Sequence, residues 1–200
     1  MVYAEPRLER PLRVNLASVQ LSDEQFYRLC GANPELQLER DRRGNLIVMA
    51  PVGGESGRSE ARLTIVIGNW NLQTDRGEVF SSSTLFKLPI GSDRSPDVAW
   101  VERSRWESLT PEQRQKFVPL APDFALELRS PSDSLQNLRE KMQEYLDSGV
   151  RLAWLINPQD QEVEIYRPGQ EPEVRSLPTT LSGEEVLEGF ELAIDRFPLA

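Results

Sequence analysis

The chain of 200 residues contains no histidine and one cysteine, Cys30. Without imidazole there is no histidine ligand, general base or triad partner, so hydrolysis of the Ser-His-Asp type is excluded. One thiol can neither close an intramolecular disulfide nor build a four-thiolate zinc site. No run of about 18 apolar residues exists to cross a membrane. Arg7, Arg10 and Arg13 are followed by no apolar stretch of signal-peptide length. The expectation is a cytoplasmic protein without a membrane partner. Positive charge is also short, with 23 Lys and Arg against 32 Asp and Glu and a net charge of −9. That balance repels polyanions and argues against broad, non-specific nucleic-acid affinity. It leaves room for a local groove built from Arg40, Arg42, Arg43, Arg58, Arg62, Arg103 and Arg105, although each alone reads more simply as a solvated surface charge. What is present, 38% hydrophobic and 28% charged residues, describes one ordinary globular domain large enough to bury a core.

Residues 1–20 read as an irregular Pro- and Arg-rich arm and residues 21–200 as a single domain. Ser22-Asp23-Glu24 starts a helix that runs through Phe26, Tyr27 and Leu29 to Gly31. Leu36–Glu39 and Leu46–Met49 flank a turn containing Gly44-Asn45, which tolerates positive φ, so a hairpin is expected. Between Ser56 and Gln73, Leu63, Ile67 and Trp70 share a helical face with Val66 beside them. Glu60, three positions before Leu63, lies on that row; it could equally be an exposed first-turn acid favoured by the helix dipole. Val79–Ser83, Leu85–Leu88 and Asp97–Val101 read as an antiparallel meander. Ser104 and Thr110-Pro111-Glu112-Gln113 carry short-helix starts.

Strand 124–128, a helix capped by Ser132 or Ser134 and closed by Gly149, and strand 152–156 form a right-handed βαβ crossover. That places the two strands parallel in one sheet. Val163–Tyr166, a strand around Val174, and Val186, Leu187 and Phe190 complete the periphery, with the strands near 163 and 174 as edges open to pairing. The fold class is α/β in the α+β sense: a central mixed β-sheet flanked by helices.

Two strand-like apolar runs each hold carboxylates, Pro96-Asp97-Val98-Ala99-Trp100-Val101 and Asp123-Phe124-Ala125-Leu126-Glu127-Leu128-Arg129. An isolated buried carboxylate costs several kcal/mol, roughly, and survives with a cation, donors or a metal. Asp123 and Glu127 are four residues apart, roughly 13 Å along a strand, too far to share one ion directly. Asp97, on another strand, can approach Glu127 across the sheet. With the Leu128 carbonyl, the pair offers oxygen ligands to magnesium, waters filling the remainder. Alternation puts Arg129 on the same face as Glu127, where a permanent cation can stabilise developing charge but cannot act as a base. Lys141, one position before Met142 on the helix, can reach over the strand ends or snorkel to solvent.

This arrangement resembles the PD-(D/E)XK nuclease superfamily with its restriction-endonuclease-like fold, through Pro96-Asp97 followed by Glu127-Leu128-Arg129. Within it the chain resembles the Uma-two family of bacterial endonucleases. The match is carried by Ser95-Pro96-Asp97-Val98, Pro122-Asp123, Glu127 to Ser132, Lys141, Tyr145, Gly149-Val150 and Trp154 to Pro158. The resemblance implies Mg2+ or Mn2+ held by Asp97, Glu127 and Leu128, and catalysis involving Asp97, Glu127, Lys141, Arg129 and Glu60. Arg129 stands where the superfamily has lysine, and relocation of that lysine to a neighbouring helix favours Lys141. An acid on the first core helix is also implied, Glu60 or, less well placed, Glu55. The expected function is metal-dependent phosphodiester hydrolysis in nucleic acid, DNA foremost, by a protein that forms a homodimer as similar folds do. The alternatives are a non-catalytic binding or assembly protein with Glu127 and Arg129 as a structural ion pair, and hydrolysis of a small phosphorylated molecule.

Overall fold

The computed structural model describes residues 10–16 and 18–196. In chain order these form β1 (Leu12–Val14), α1 (Asp23–Ala32), β2 (Leu38–Arg40), β3 (Leu46–Val48), α2 (Gly54–Thr74), β4 (Gly77–Ser81), β5 (Phe86–Lys87), β6 (Asp93–Arg94) and β7 (Val98–Glu102). There follow α3 (Arg103–Glu107), α4 (Pro111–Arg114), β8 (Phe124–Leu128), α5 (Leu135–Asp147), β9 (Leu152–Asn157), β10 (Glu162–Tyr166), β11 (Glu173–Ser176), β12 (Thr179–Ser182) and β13 (Glu191–Ile194).

The six-stranded sheet runs β11-β10-β9-β8-β7-β4. Every pairing in it is antiparallel except β8 with β9, which are parallel and joined by α5. The mixed sheet and its crossover are thus as expected. A parallel pair needs a connection of a dozen or more residues, and α5 supplies it, capped by the Ser134 hydroxyl on Asn137 N–H and closed at Gly149 with φ +98°.

All five residues of β8 are buried, so alternation sorts them between two covered faces. Phe124, Leu126 and Leu128 join Leu63, Ile67 and Trp70 of α2 in one core. Ala125 faces Met142 and Tyr145 of α5 in the other. Ala99, Ala125 and Ala153 stand in register across β7, β8 and β9. This row of small side chains makes room for the larger ones of α5, and Glu127 is the next residue of β8 on the same face.

Some expected elements change place. The meander is broken: β4 pairs with β7, whereas β5 pairs with β6 in a separate sheet of order β1-β3-β2-β6-β5. Leu12–Val14, within the expected irregular arm, pairs antiparallel with β3; residues 1–9 of that arm lie outside the described residues. Helix α1 continues past Gly31 to Ala32. Val186, Leu187 and Phe190 are core residues in the connection between β12 and β13, a strand pair that the sequence pattern does not signal. Strand β10 is interior, and the edges are β11 and β4.

Candidate active site

Continuing the β7–β8 register, in which Val98 opposes Leu126 and Ala99 opposes Ala125, sets Asp97 opposite Glu127. Asp97, half-buried at the foot of β7, accepts the Leu128 N–H on Oδ2 at 2.6 Å. Glu127 is 3% exposed. Its carboxylate accepts the Tyr145 hydroxyl at 2.7 Å and lies 2.9 and 3.0 Å from the Lys141 ammonium. Lys141 and Tyr145 are one helical turn apart on α5, so one helix face serves both oxygens.

The reach of Lys141 is fixed rather than free. Its Nζ also donates to Glu39 Oε1 at 2.9 Å and to the Ser95 carbonyl at 3.1 Å, so it is buried between two carboxylates instead of snorkelling to solvent. Glu39 comes from β2 of the smaller sheet. Its remaining contacts are Ser95 N–H at 2.9 Å and Arg94 Nη1 at 2.9 Å, while Arg94 Nε donates to Glu144 of α5 at 2.8 Å. A continuous buried chain therefore runs Glu144–Arg94–Glu39–Lys141–Glu127–Tyr145 and ties α5 and both sheets together.

Burial pushes the Asp97 carboxyl well above its usual range, and repulsion from Glu127 adds to this against the opposing pull of Lys141. Burial likewise raises Glu127, with Lys141 as the main counterweight. For Glu39 burial works in the same direction, but Lys141 and Arg94 overcome it and hold the carboxylate below its usual range. Desolvation alone would lower Lys141; the Glu127 and Glu39 carboxylates more than reverse that and keep it charged.

Asp97, Glu127, Leu128, Lys141, Glu39 and Glu60 all line one cavity of about 350 Å3. Glu60 reaches it from α2 and accepts the Ser82 hydroxyl at 2.5 Å. Glu55 is outside that cavity and ion-paired with Arg58, which ranks Glu60 ahead of it by position. Arg129 is not brought to Glu127. Its Nη1 donates to Asn157 Oδ1 at 3.1 Å and Asp160 Oδ2 at 3.3 Å, so the expected Glu127–Arg129 ion pair is replaced by Glu127–Lys141. The alternation rule misleads here because β8 ends at Leu128 and no longer constrains the next side chain. Asp123 is a separate structural anchor, accepting Glu102 N–H and pairing with Arg105 and Arg151.

Several arginines expected to form a basic groove are spent in ion pairs: Arg40 with Asp23 and Asp93, Arg42 with Asp147, Arg58 with Glu55, Arg103 with Asp75 and Arg105 with Asp123. Arg10 and Arg13 line the cavity near β1, Arg13 itself lying 3.7 Å from Asp41 and 3.9 Å from Glu140. Glu39, Arg94 and Glu144 are residues of the candidate site that the strand and motif pattern does not mark. The available signal for Glu39 was alternation with Leu38, which packs on Phe26 and leaves Glu39 on the opposite face.

The donor set is all oxygen, which suits a hard divalent cation. Among the described residues no group of three or more Asp, Glu, Cys or His side chains is placed to hold a metal ion by itself. Two carboxylates and one carbonyl would supply only part of the coordination of such a cation, the remainder falling to water or substrate oxygen.

A family model described as "Putative restriction endonuclease" (Uma2, the Uma-two family) matches residues 23–195. Among solved structures, a "putative nuclease belonging to DUF820" from Anabaena variabilis ATCC 29413 superposes with a TM-score of 0.67 at 22% identity, covering 80% of this chain and 88% of that one. A search of curated proteins gave no match. The superposition establishes the fold as the restriction-endonuclease type. No helix among the described residues is long and apolar enough to cross a membrane.

Proposed function

The chain belongs to the Uma-two family of restriction-endonuclease-like proteins, and from that premise we propose that it is a divalent-metal-dependent endonuclease hydrolysing phosphodiester bonds in DNA. The observation that carries this reading is the meeting of Asp97 and Glu127 from adjacent strands in one cavity, with the Lys141 ammonium bound to Glu127. Asp97, Glu127 and the Leu128 carbonyl would hold Mg2+ or Mn2+. Such an ion, when bound, polarises a phosphoryl oxygen and acidifies water.

The protein's own groups do the rest. Lys141 is charged, and its three N–H donors are taken by Glu39, Glu127 and the Ser95 carbonyl, so it orients the Glu127 carboxylate and contributes a fixed positive charge at the cavity rather than a free donor. Held in the ammonium form, it is no general base. Tyr145 fixes the carboxylate of Glu127 through its hydroxyl. Glu60 lines the far wall from α2 and adds negative charge facing Asp97. Arg10, and Arg13 with only loose contacts to Asp41 and Glu140, put positive charge beside the cavity in a chain of net charge −9. Arg129 takes no part at the phosphoryl group on this reading.

The test is calorimetric titration of Mn2+ into wild type and Glu127→Gln, with plasmid cleavage followed in parallel. Saturable binding in wild type that Glu127→Gln abolishes, and cleavage that Asp97→Ala and Glu127→Ala each abolish in folded protein, are the expected results. Cleavage by an Asp97→Ala/Glu127→Ala double variant overturns the assignment. We further infer a homodimer, for which β11, an edge strand among the described residues, offers a pairing surface. Light scattering giving the mass of one chain overturns that.

A further inference from the structure

A second cavity, of about 240 Å3, adjoins the first. Ser56, Leu128 and Pro131 line both, so the two are separated only by the chain leaving β8 and the start of α2. Leu128, Pro131 and Pro158 make most of its wall apolar, and among the described residues Arg129 is its only cation. That guanidinium is held in place by Asn157 and Asp160, which are bonded to each other at 2.7 Å. Its Nε is buried without a hydrogen-bond partner. Gln159 is likewise anchored, by donation to the Ser130 carbonyl at 3.0 Å.

The volume lies below the ~300–1,000 Å3 of pockets that take a whole small ligand. It suits one planar group. Among the described residues the cavity has no aromatic side chain, but a base turned out of the stack is also held between apolar side chains and against the plane of a fixed guanidinium. A phosphate is the poorer occupant, because the Glu55 carboxylate borders the same cavity and the wall is mostly carbon. We propose that this cavity receives one nucleobase, turned out of the stack, from the DNA strand whose phosphodiester lies at Asp97 and Glu127, with Arg129 as the residue that holds it. This rests on the nuclease reading above, and it gives the arginine at the motif position a binding role in place of a catalytic one.

The experiment is a scan in which a single abasic nucleotide is walked through a short single-stranded DNA, with affinity measured in Ca2+ for wild type and Arg129→Ala. In wild type one position should lose roughly 5-fold in affinity when its base is removed, the low end for a stacked base because no aromatic ring among the described residues lines the cavity. In Arg129→Ala the intact DNA should bind more weakly, and the abasic replacement should then cost little. A flat scan in wild type, or a penalty unchanged in Arg129→Ala, overturns the proposal. Because the scan alters the DNA, a misfolded variant cannot imitate the wild-type result. DNA that is cleaved in Mn2+ while the scan is flat removes the base pocket and leaves the nuclease reading. DNA neither bound nor cleaved removes both.

Discussion

The two faces of β8 are built on opposite principles. Toward α2, Phe124, Leu126 and Leu128 meet a continuous apolar core, with Phe124 edge-on to Trp154 at 4.9 Å. Toward α5, Ala125 gives way to Glu127, and a buried row of acids and cations spans the space between the two sheets. Apolar burial contributes about 25 cal/mol per Å2. A buried ion pair roughly breaks even against a hydrophobic replacement of similar volume. The first face accordingly supplies stability, and the second holds charges that stability alone would not retain.

The largest effects should divide along that line. Phe124→Ala opens a cavity beside Trp154 and should cost about 3–5 kcal/mol in urea denaturation, with nothing elsewhere able to compensate. Lys141→Met removes the cation between Glu39 and Glu127, leaving Glu39 with Arg94 but Glu127 with no cation beside it and only the Tyr145 hydroxyl, and should cost a similar amount, about 3–5 kcal/mol. Here a second change can compensate. Adding Glu127→Gln removes the stranded charge, so the double variant should be more stable than Lys141→Met alone. If the two changes are simply additive, Lys141 and Glu127 are not coupled as described.

A smaller effect should have the opposite sign. Burial and Glu127 raise the Asp97 carboxyl well above its usual range, so the folded metal-free protein retains a proton there that the unfolded chain releases. Stability from this group is complete below the ordinary aspartate range and is lost as pH rises toward the elevated folded value. Asp97→Asn keeps an acceptor for Leu128 N–H and removes the charge. It should therefore stabilise the metal-free protein at neutral pH by about 0.5–2 kcal/mol, the gain shrinking as pH falls toward the usual aspartate range. Metal binding should be lost in the same variant. Destabilisation at neutral pH would mean that Asp97 is a structural anchor, as Asp123 is.

The difference between the faces also explains what could be read from the sequence. Alternation and length were enough for β8, α5 and β9, because each buries a periodic apolar set and the βαβ hand then fixes their pairing. Asp97 and Glu127 were legible as acids interrupting such sets. Glu39 and Arg94 were not, since they join the site from a sheet whose strands are two or three residues long. No local periodicity encodes which sheet a two-residue strand enters, and for the same reason β5 was assigned to the wrong neighbour. Short β12 and β13, with Pro178 just before one and Gly183 just after it, carry turn residues that mask the core positions Leu181 and Leu192. Lys141 was found, but its burial was not, because an ammonium one position off an apolar stripe is buried only when acids from other elements meet it.

Glu60 tests where the charged face ends. It lies on α2, the helix that builds the apolar face, yet it lines the cavity and its charge contributes to the elevation of Asp97. Half-buried and bonded only to the Ser82 hydroxyl among its side-chain contacts described above, it has little structural work to lose. Glu60→Gln can keep that hydrogen bond, so stability should change by no more than about 0.5 kcal/mol. Removing a negative charge that faces the acid pair should weaken Mn2+ binding by a few-fold, a loss to be read by calorimetry at low ionic strength, where the charge is least screened. If Mn2+ affinity is unchanged, Glu60 belongs with the apolar helix that carries it, and the metal-binding face stops at the two strands. A loss as large as that of Glu127→Gln would instead make Glu60 a direct ligand and draw α2 into the reacting centre.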